Sequence, residues 1–109
     1  QRAWGDLWDG DVDPDGVALI EAYTVPEGWR LYLGGGDIDC EVSCIQLVML
    51  IHTPGILGYI RYDVYRHVTI NPPIGEVLEA GETLQYHVYN DDVVKRHFSV
   101  SLLGIEEKV

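Results

Sequence analysis

Leu84-Gln85-Tyr86-His87-Val88-Tyr89 and, a few residues on, Phe98-Ser99-Val100-Ser101-Leu102 alternate between apolar and more polar side chains. Side chains of an extended chain point to opposite faces in turn, so a period of two marks a strand with one face buried. The same reading extends upstream. Trp29, Leu31 and Leu33 alternate with Arg30 and Tyr32, which places Trp29 in the core. Ile60, Tyr62 and Val64, then Val68 and Ile70, share a face opposite Arg61, Asp63, Tyr65, His67 and Thr69. Arg66 interrupts that face, which predicts a bulge or an edge there. Between Ile38 and Ile51 the apolar set shifts phase, from Ile38, Cys40, Val42 and Cys44 to Ile45, Leu47, Met49 and Ile51. One strand cannot keep both sets inward, so the shift predicts either a bulge near Ser43 to Gln46 or two strands.

Turn-forming residues separate these runs: Pro26-Glu27-Gly28, Gly34-Gly35-Gly36, Thr53-Pro54-Gly55, Asn71-Pro72-Pro73, Ala80-Gly81-Glu82 and Asn90-Asp91-Asp92. Short strands between regular turns predict an all-β fold, an antiparallel β-sandwich of jelly-roll-like form. The best helical spacing is short, with Trp4, Leu7 and Trp8 at i, i+3 and i+4. Residues 1–16 differ in composition from the rest and read as a short acidic N-terminal arm or loop, with the sandwich domain at 17–109.

The chain has 109 residues, of which 47% are hydrophobic, matching one ordinary globular domain. Seven basic residues against 18 acidic ones give a net charge of −11, which argues against nucleic acid or an anionic membrane as partner. Such a charge also opposes casual association, so self-assembly would need a specific apolar patch or the help of cations. The apolar run Ile45 to Ile51 is too short to cross a bilayer. No signal-peptide pattern is visible, although Gln1 in first place leaves room for a removed leader. Cys40 and Cys44 lie four apart, roughly 13 Å along one strand, so a disulfide would need a turn or bulge between them. They read as buried apolar side chains.

Asp11, Asp13 and Asp15, followed by Gly16, place carboxylates at the spacing of a calcium loop. An EF-hand would have Glu where Ala22 stands, and flanking helices, so only a non-EF calcium site remains beside the plainer reading of a solvated acidic turn. His52, His67, His87 and His97 are dispersed, and the His-x-His pair of a cupin-type metal site is absent around His87. There is no Gly-x-Ser-x-Gly elbow, and Gly34-Gly35-Gly36 leads into Asp37 rather than the Lys-Ser/Thr of a phosphate loop. These readings point away from an enzyme. Three Trp and seven Tyr against one Phe favour amphipathic rings, suited to interfaces and sugar platforms. Trp4, Leu7 and Trp8 form the apolar cluster outside the patterned strands and are the expected interaction residues.

Two segments resemble small virion jelly rolls: Val25-Pro26-Glu27-Gly28-Trp29-Arg30-Leu31-Tyr32-Leu33, and Pro72-Pro73-Ile74-Gly75-Glu76-Val77-Leu78-Glu79-Ala80-Gly81-Glu82-Thr83-Leu84. The ending from Ser99 to Glu107 is similar to their closing strand. The resemblance implies a capsid decoration (cement) or spike subunit at the virion surface. It further implies a homotrimer in contact with the major capsid protein or neighbouring virion subunits. The alternative expectation is an extracellular carbohydrate-binding module, with calcium supporting a loop.

Overall fold

The computed structural model describes residues 1–41, 45–53, 58–70 and 77–109, with 45–53, 58–65 and 70 described by backbone alone. Among the described residues nine strands follow in chain order: β1 (Arg2–Val12), β2 (Val17–Thr24), β3 (Trp29–Cys40), β4 (Ile45–Thr53), β5 (Gly58–Tyr65), β6 (His67–Ile70), β7 (Val77–Leu78), β8 (Thr83–Asn90) and β9 (Arg96–Lys108). Their order in space is β1-β9-β3-β6-β5-β4-β8-β2, with β7 also pairing β3, and all pairings are antiparallel. The path folds over at Arg66, a non-glycine residue with φ of 73°, where Tyr65 and His67 are the single pair joining β5 to β6. Two four-stranded layers result, β1-β9-β3-β6 and β2-β8-β4-β5. Contacts of β1 with β2 and β8 close the sandwich at its far side. Arg66 therefore marks the break that its place in the pattern predicts.

The inward positions are those the alternation assigns. Leu84, Tyr86 and Val88 of β8, Phe98, Val100 and Leu102 of β9, and Leu31, Leu33, Ile38 and Cys40 of β3 are buried together with Val12, Val25 and Leu78. Trp29 packs against this core, and the Arg2 guanidinium lies 3.8 Å from the centroid of its ring. The inward set of β3 changes parity, from odd numbers at Leu31 and Leu33 to even numbers at Ile38 and Cys40. The triglycine supplies that change. Gly34-Gly35-Gly36 is a strand bulge and not the expected turn, because the pairing with β9 slips between Leu33 and Gly35. Gly36 has no substitute there: a Cβ would stand 1.9 Å from the Ser101 carbonyl oxygen. The phase shift after Cys40 resolves as two strands, β3 ending at Cys40 and β4 beginning at Ile45, with 42–44 outside the described residues.

Two predicted turns close as expected. The Trp29 amide donates to the Pro26 carbonyl at 3.2 Å with Gly28 at φ 84°, and the Glu82 amide donates to the Glu79 carbonyl at 3.0 Å with Gly81 at φ 87°. After β8, the Asn90 amide group donates to the carbonyls of Val12 and Val94, each at 2.9 Å, and its oxygen accepts from the Asp92 amide at 3.0 Å. This buried side chain thereby ties β1 to the β8–β9 connection. The turns expected around Pro54-Gly55 and Asn71-Pro72-Pro73, and the facing of side chains in β5, lie outside what is described.

Residues 1–16 are not an arm. Arg2 to Val12 pair with β9 along their whole length, from Arg2 opposite Glu106 to Val12 opposite Arg96. The end of the sandwich is locked by Glu106, which is 2% exposed and accepts from Arg2 Nε at 2.9 Å and from the Tyr23 hydroxyl at 2.5 Å.

Candidate functional site

In β1 the even-numbered side chains face inward. Trp4 and Trp8 pack against their own core, with the Trp4 ring 5.2 Å from that of Tyr23, while Leu7 points out and is 67% exposed. The expected interaction cluster of Trp4, Leu7 and Trp8 is thus split across the sheet, because a strand sends neighbouring residues to opposite faces. Only Leu7 is available to a partner.

The three aspartates expected to hold calcium also diverge. Asp11 stands on the outer sheet face against His97, Asp13 lies 3.7 Å from Lys95 Nζ, and Asp15 adopts a left-handed φ of 53° within the turn. Among the described residues no group of His, Cys, Asp and Glu is arranged to hold a metal ion. The Asp13 carbonyl accepts from the Gly16 amide at 2.9 Å, so this stretch serves as the corner between β1 and β2.

What Leu7 belongs to is the outer face of β1-β9-β3-β6, whose residues fall into rows across the strands. Ala3, Ile105 and Tyr32 form the first row, and Gly5, Leu103 and Gly35 the second. Leu7, Ser101, Asp37 and Thr69 form the third, and Asp9, Ser99, Asp39 and His67 the fourth. Asp11 and His97 lie opposite each other in the fifth, where the Glu41 amide donates to the His97 carbonyl. The first rows are apolar and open: Leu103 is 52% exposed, Ile105 47% and Tyr32 36%. Glycines beside them leave the surface flat.

The last rows hold two histidines between pairs of aspartates. His97 Nδ1 is 2.8 Å from Asp11 Oδ1, and its Nε2 meets Oδ1 of Asp9. His67 Nδ1 is 2.7 Å from Asp39 Oδ1, with its Nε2 3.4 Å from Asp37 Oδ1 and from Thr69 Oγ1. A ring nitrogen approaches a carboxylate oxygen favourably only as an N–H donor, so contacts on both nitrogens call for the imidazolium form. Both histidines are accordingly held above their ordinary pKa, His67 chiefly by its hydrogen bond to Asp39 and His97 by that to Asp11.

On the opposite layer, the outer face of β2 and β8 carries a shallow cavity of about 180 Å³ lined by Leu19, Ile20, Glu21, Gln85 and His87. Gln85 Nε2 donates to Glu21 Oε1 at 3.0 Å, Leu19 is 69% exposed, and the covered Nδ1 of His87 has no hydrogen-bond partner among the described residues. The pairing of β2 with β8 slips between Glu21 and Tyr23, so a bulge adjoins the cavity.

Reading the sequence for motifs misses the outer-face residues Tyr32, Leu103, Ile105, Asp37 and Asp39. The signal was present in part. Extending the alternation of Phe98, Val100 and Leu102 past its apolar end puts Leu103 and Ile105 on the side of Ser99 and Ser101. Their apolar character then contradicts a solvated face.

No protein-family model and no curated protein sequence matches the chain. Among solved structures, one titled "Crystal structure of PirA" is similar, with a TM-score of 0.51 over 89% of this chain and 92% of that one at 14% sequence identity. At that identity the likeness concerns the fold.

Proposed function

We propose that this protein is a non-enzymatic structural module, a jelly-roll subunit that packs its outer β1-β9-β3 surface against further copies of itself. The observation that carries the reading is the exposure, side by side, of Leu7, Tyr32, Leu103 and Ile105 from three adjacent strands. Scattered surface apolar residues need no explanation, whereas a contiguous patch marks a contact surface. In a chain of net charge −11, which resists casual association, two adjoining rows of uncharged residues around Ile105 and Leu103 suit a specific partner. Three of its four large side chains are aliphatic, which suits a protein surface better than the face of a sugar ring. The order β1-β9-β3-β6 over β2-β8-β4-β5 suits a jelly roll, which has eight strands in two sheets. Together with the segments resembling small virion proteins, it supports a decoration or spike subunit seated on a virion surface beside capsid protein.

Leu103→Glu tests this. Light scattering should show the unaltered protein as an oligomer at micromolar concentration and the variant as a monomer with the same melting temperature. An unaltered protein that stays monomeric under those conditions counts against the reading.

The cavity at Leu19, Glu21, Gln85 and His87 favours a second reading, carbohydrate binding. A carboxylate, an amide and an imidazole beside an exposed leucine could meet the hydroxyls and the C–H face of one neutral sugar ring. A glycan array is the direct check, and a hit that survives Glu21→Gln and His87→Ala would dissociate the sugar from this cavity.

A further inference from the structure

Strand β2 ends its layer. It pairs with β8 on one side, and among the described residues no backbone group bonds to the other. The Asn90 amide donates to the Gly16 carbonyl at 3.0 Å, which makes Gly16 and Asn90 a hydrogen-bonded pair. Such pairs alternate along an antiparallel ladder, so Ala18 and Ile20 turn their N–H and C=O groups to β8. Val17, Leu19 and Glu21 turn theirs outward, at steps of about 7 Å. The backbone of another extended chain is what matches such a row.

Sheet edges of this kind are normally guarded by charge, by proline or by a bulge. The edge strand of the other layer, β1, carries Arg2, Asp6, Asp9 and Asp11. In β2 the single charge is Glu21, and the bulge comes only after it. The side chains beneath this edge are open as well. Ala18, Ile20 and Ala22 pack on the core but are only partly buried, whereas Leu84, Tyr86 and Val88 of the neighbouring strand are at most 2% exposed. The uncovered flank faces the seam with β1, where the two layers touch without a ladder.

On the outer side, the cavity at Leu19, Glu21, Gln85 and His87 adjoins the same edge. Residues directly opposite each other in an antiparallel pair share a face, with Cβ atoms about 5 Å apart. A strand laid along residues 17–21 would send the side chains opposite Leu19 and Glu21 to the cavity, and the one between them over Ile20. The Glu21 carboxylate accepts from Gln85, a neutral group, so its charge has no cation beside it among the described residues. In a chain of net charge −11, that site suits lysine or arginine and repels a second acidic copy.

We infer that the free edge of β2 takes up an extended peptide as an antiparallel strand, with basic side chains toward Glu21 and apolar ones over Ala18 and Ile20. Backbone pairing supplies the affinity, and the cavity selects the side chain. The inference is independent of the self-association reading, which uses the other layer, and it gives the cavity an occupant other than a sugar.

An octapeptide of alternating valine and lysine, matching the eight residues of β2, is the probe. It is titrated into isotope-labelled protein beside a valine–glutamate counterpart and a version N-methylated at every lysine. The amides of Val17, Leu19 and Glu21 should shift together and gain protection from hydrogen exchange. Peptide residues opposite these three both share the outer face and hold the bonded N–H groups, so N-methyl lysines keep the charge and lose the pairing. That version should bind about tenfold or more weakly, as the loss of two or three hydrogen bonds implies. Glu21→Gln should weaken the lysine peptide about threefold, and the glutamate peptide should not bind. Equal binding of the methylated version would reduce the effect to charge attraction and overturn the inference. No response to the lysine peptide at millimolar concentration would also overturn it. Shifts of the same amides with protein concentration alone would hand the edge to a second copy. A glycan-array hit lost in Glu21→Gln, with no peptide response, would hand the cavity to a sugar. Light scattering on Leu103→Glu reads the self-association separately from all of these.

Discussion

Asp6 stands on the inward face of β1, and partial burial raises its pKa above the ordinary carboxylate value. A carboxyl with a raised folded-state pKa supports the fold below its unfolded value, near 4. That support disappears as pH rises through the folded value, so the ionised group at neutral pH works against the native state. Its charge also acts on Tyr86, whose hydroxyl is pushed up first by burial and then by Asp6, and which has no hydrogen-bond partner among the described residues. Asp6→Asn keeps the size and removes the charge. With allowance for solvent screening it should stabilise by about 0.5 kcal/mol at pH 7. The gain should fade toward pH ~4, where aspartate itself takes up its proton. Thermal melts of both proteins at the two pH values check this, and a variant that is less stable at neutral pH would contradict it. The same residue explains a limit of the sequence. Trp4, Asp6, Trp8, Gly10 and Val12 do alternate inward, but a carboxylate and a glycine among them erase the apolar stripe by which β8 and β9 announce themselves.

At the scale of the element, β1 shows why its spacing suggests a helical turn. Trp4, Leu7 and Trp8 sit at helical intervals by coincidence, and the pairing with β9, at the other end of the sequence, is nonlocal and leaves no local trace. Gly10 belongs to the strand for a packing reason: a Cβ there would come within 2.9 Å of Cζ2 of the Trp8 indole, which lies across it. Trp8→Ala opens a gap under that indole's place in the core edge. Because Trp8 is only partly buried, the expected loss is about 2–4 kcal/mol, toward the low end of aromatic truncations. Chemical denaturation should show that loss in the monomer, with self-association unchanged when measured well below the unfolding midpoint. A variant of normal stability that no longer associates would return the indoles to the role of docking residues. By contrast β8, β9 and the first half of β3 were legible, since each keeps a clean period of two. The triglycine was not, because a glycine run signals a break in the chain equally well as a turn or as a bulge, and only the partner strand decides.

The whole molecule joins two properties that the sequence keeps apart. Composition reveals the charge and the wealth of apolar residues, but which of them share a face follows from the order β1-β9-β3-β6, assembled from chain segments far apart. His67 and His97 look unrelated in sequence, yet they occupy one face of one layer with a strand between them. The same holds for Leu7, Tyr32, Leu103 and Ile105. Mixing isotope-labelled with unlabelled protein and recording isotope-filtered NOEs reports contacts between copies and nothing else. The account predicts intermolecular NOEs among the methyl groups of Leu7, Leu103 and Ile105 and the ring of Tyr32. Intermolecular NOEs confined to Val17 and Leu19 on the opposite layer, or none at a concentration where light scattering shows oligomers, would contradict it.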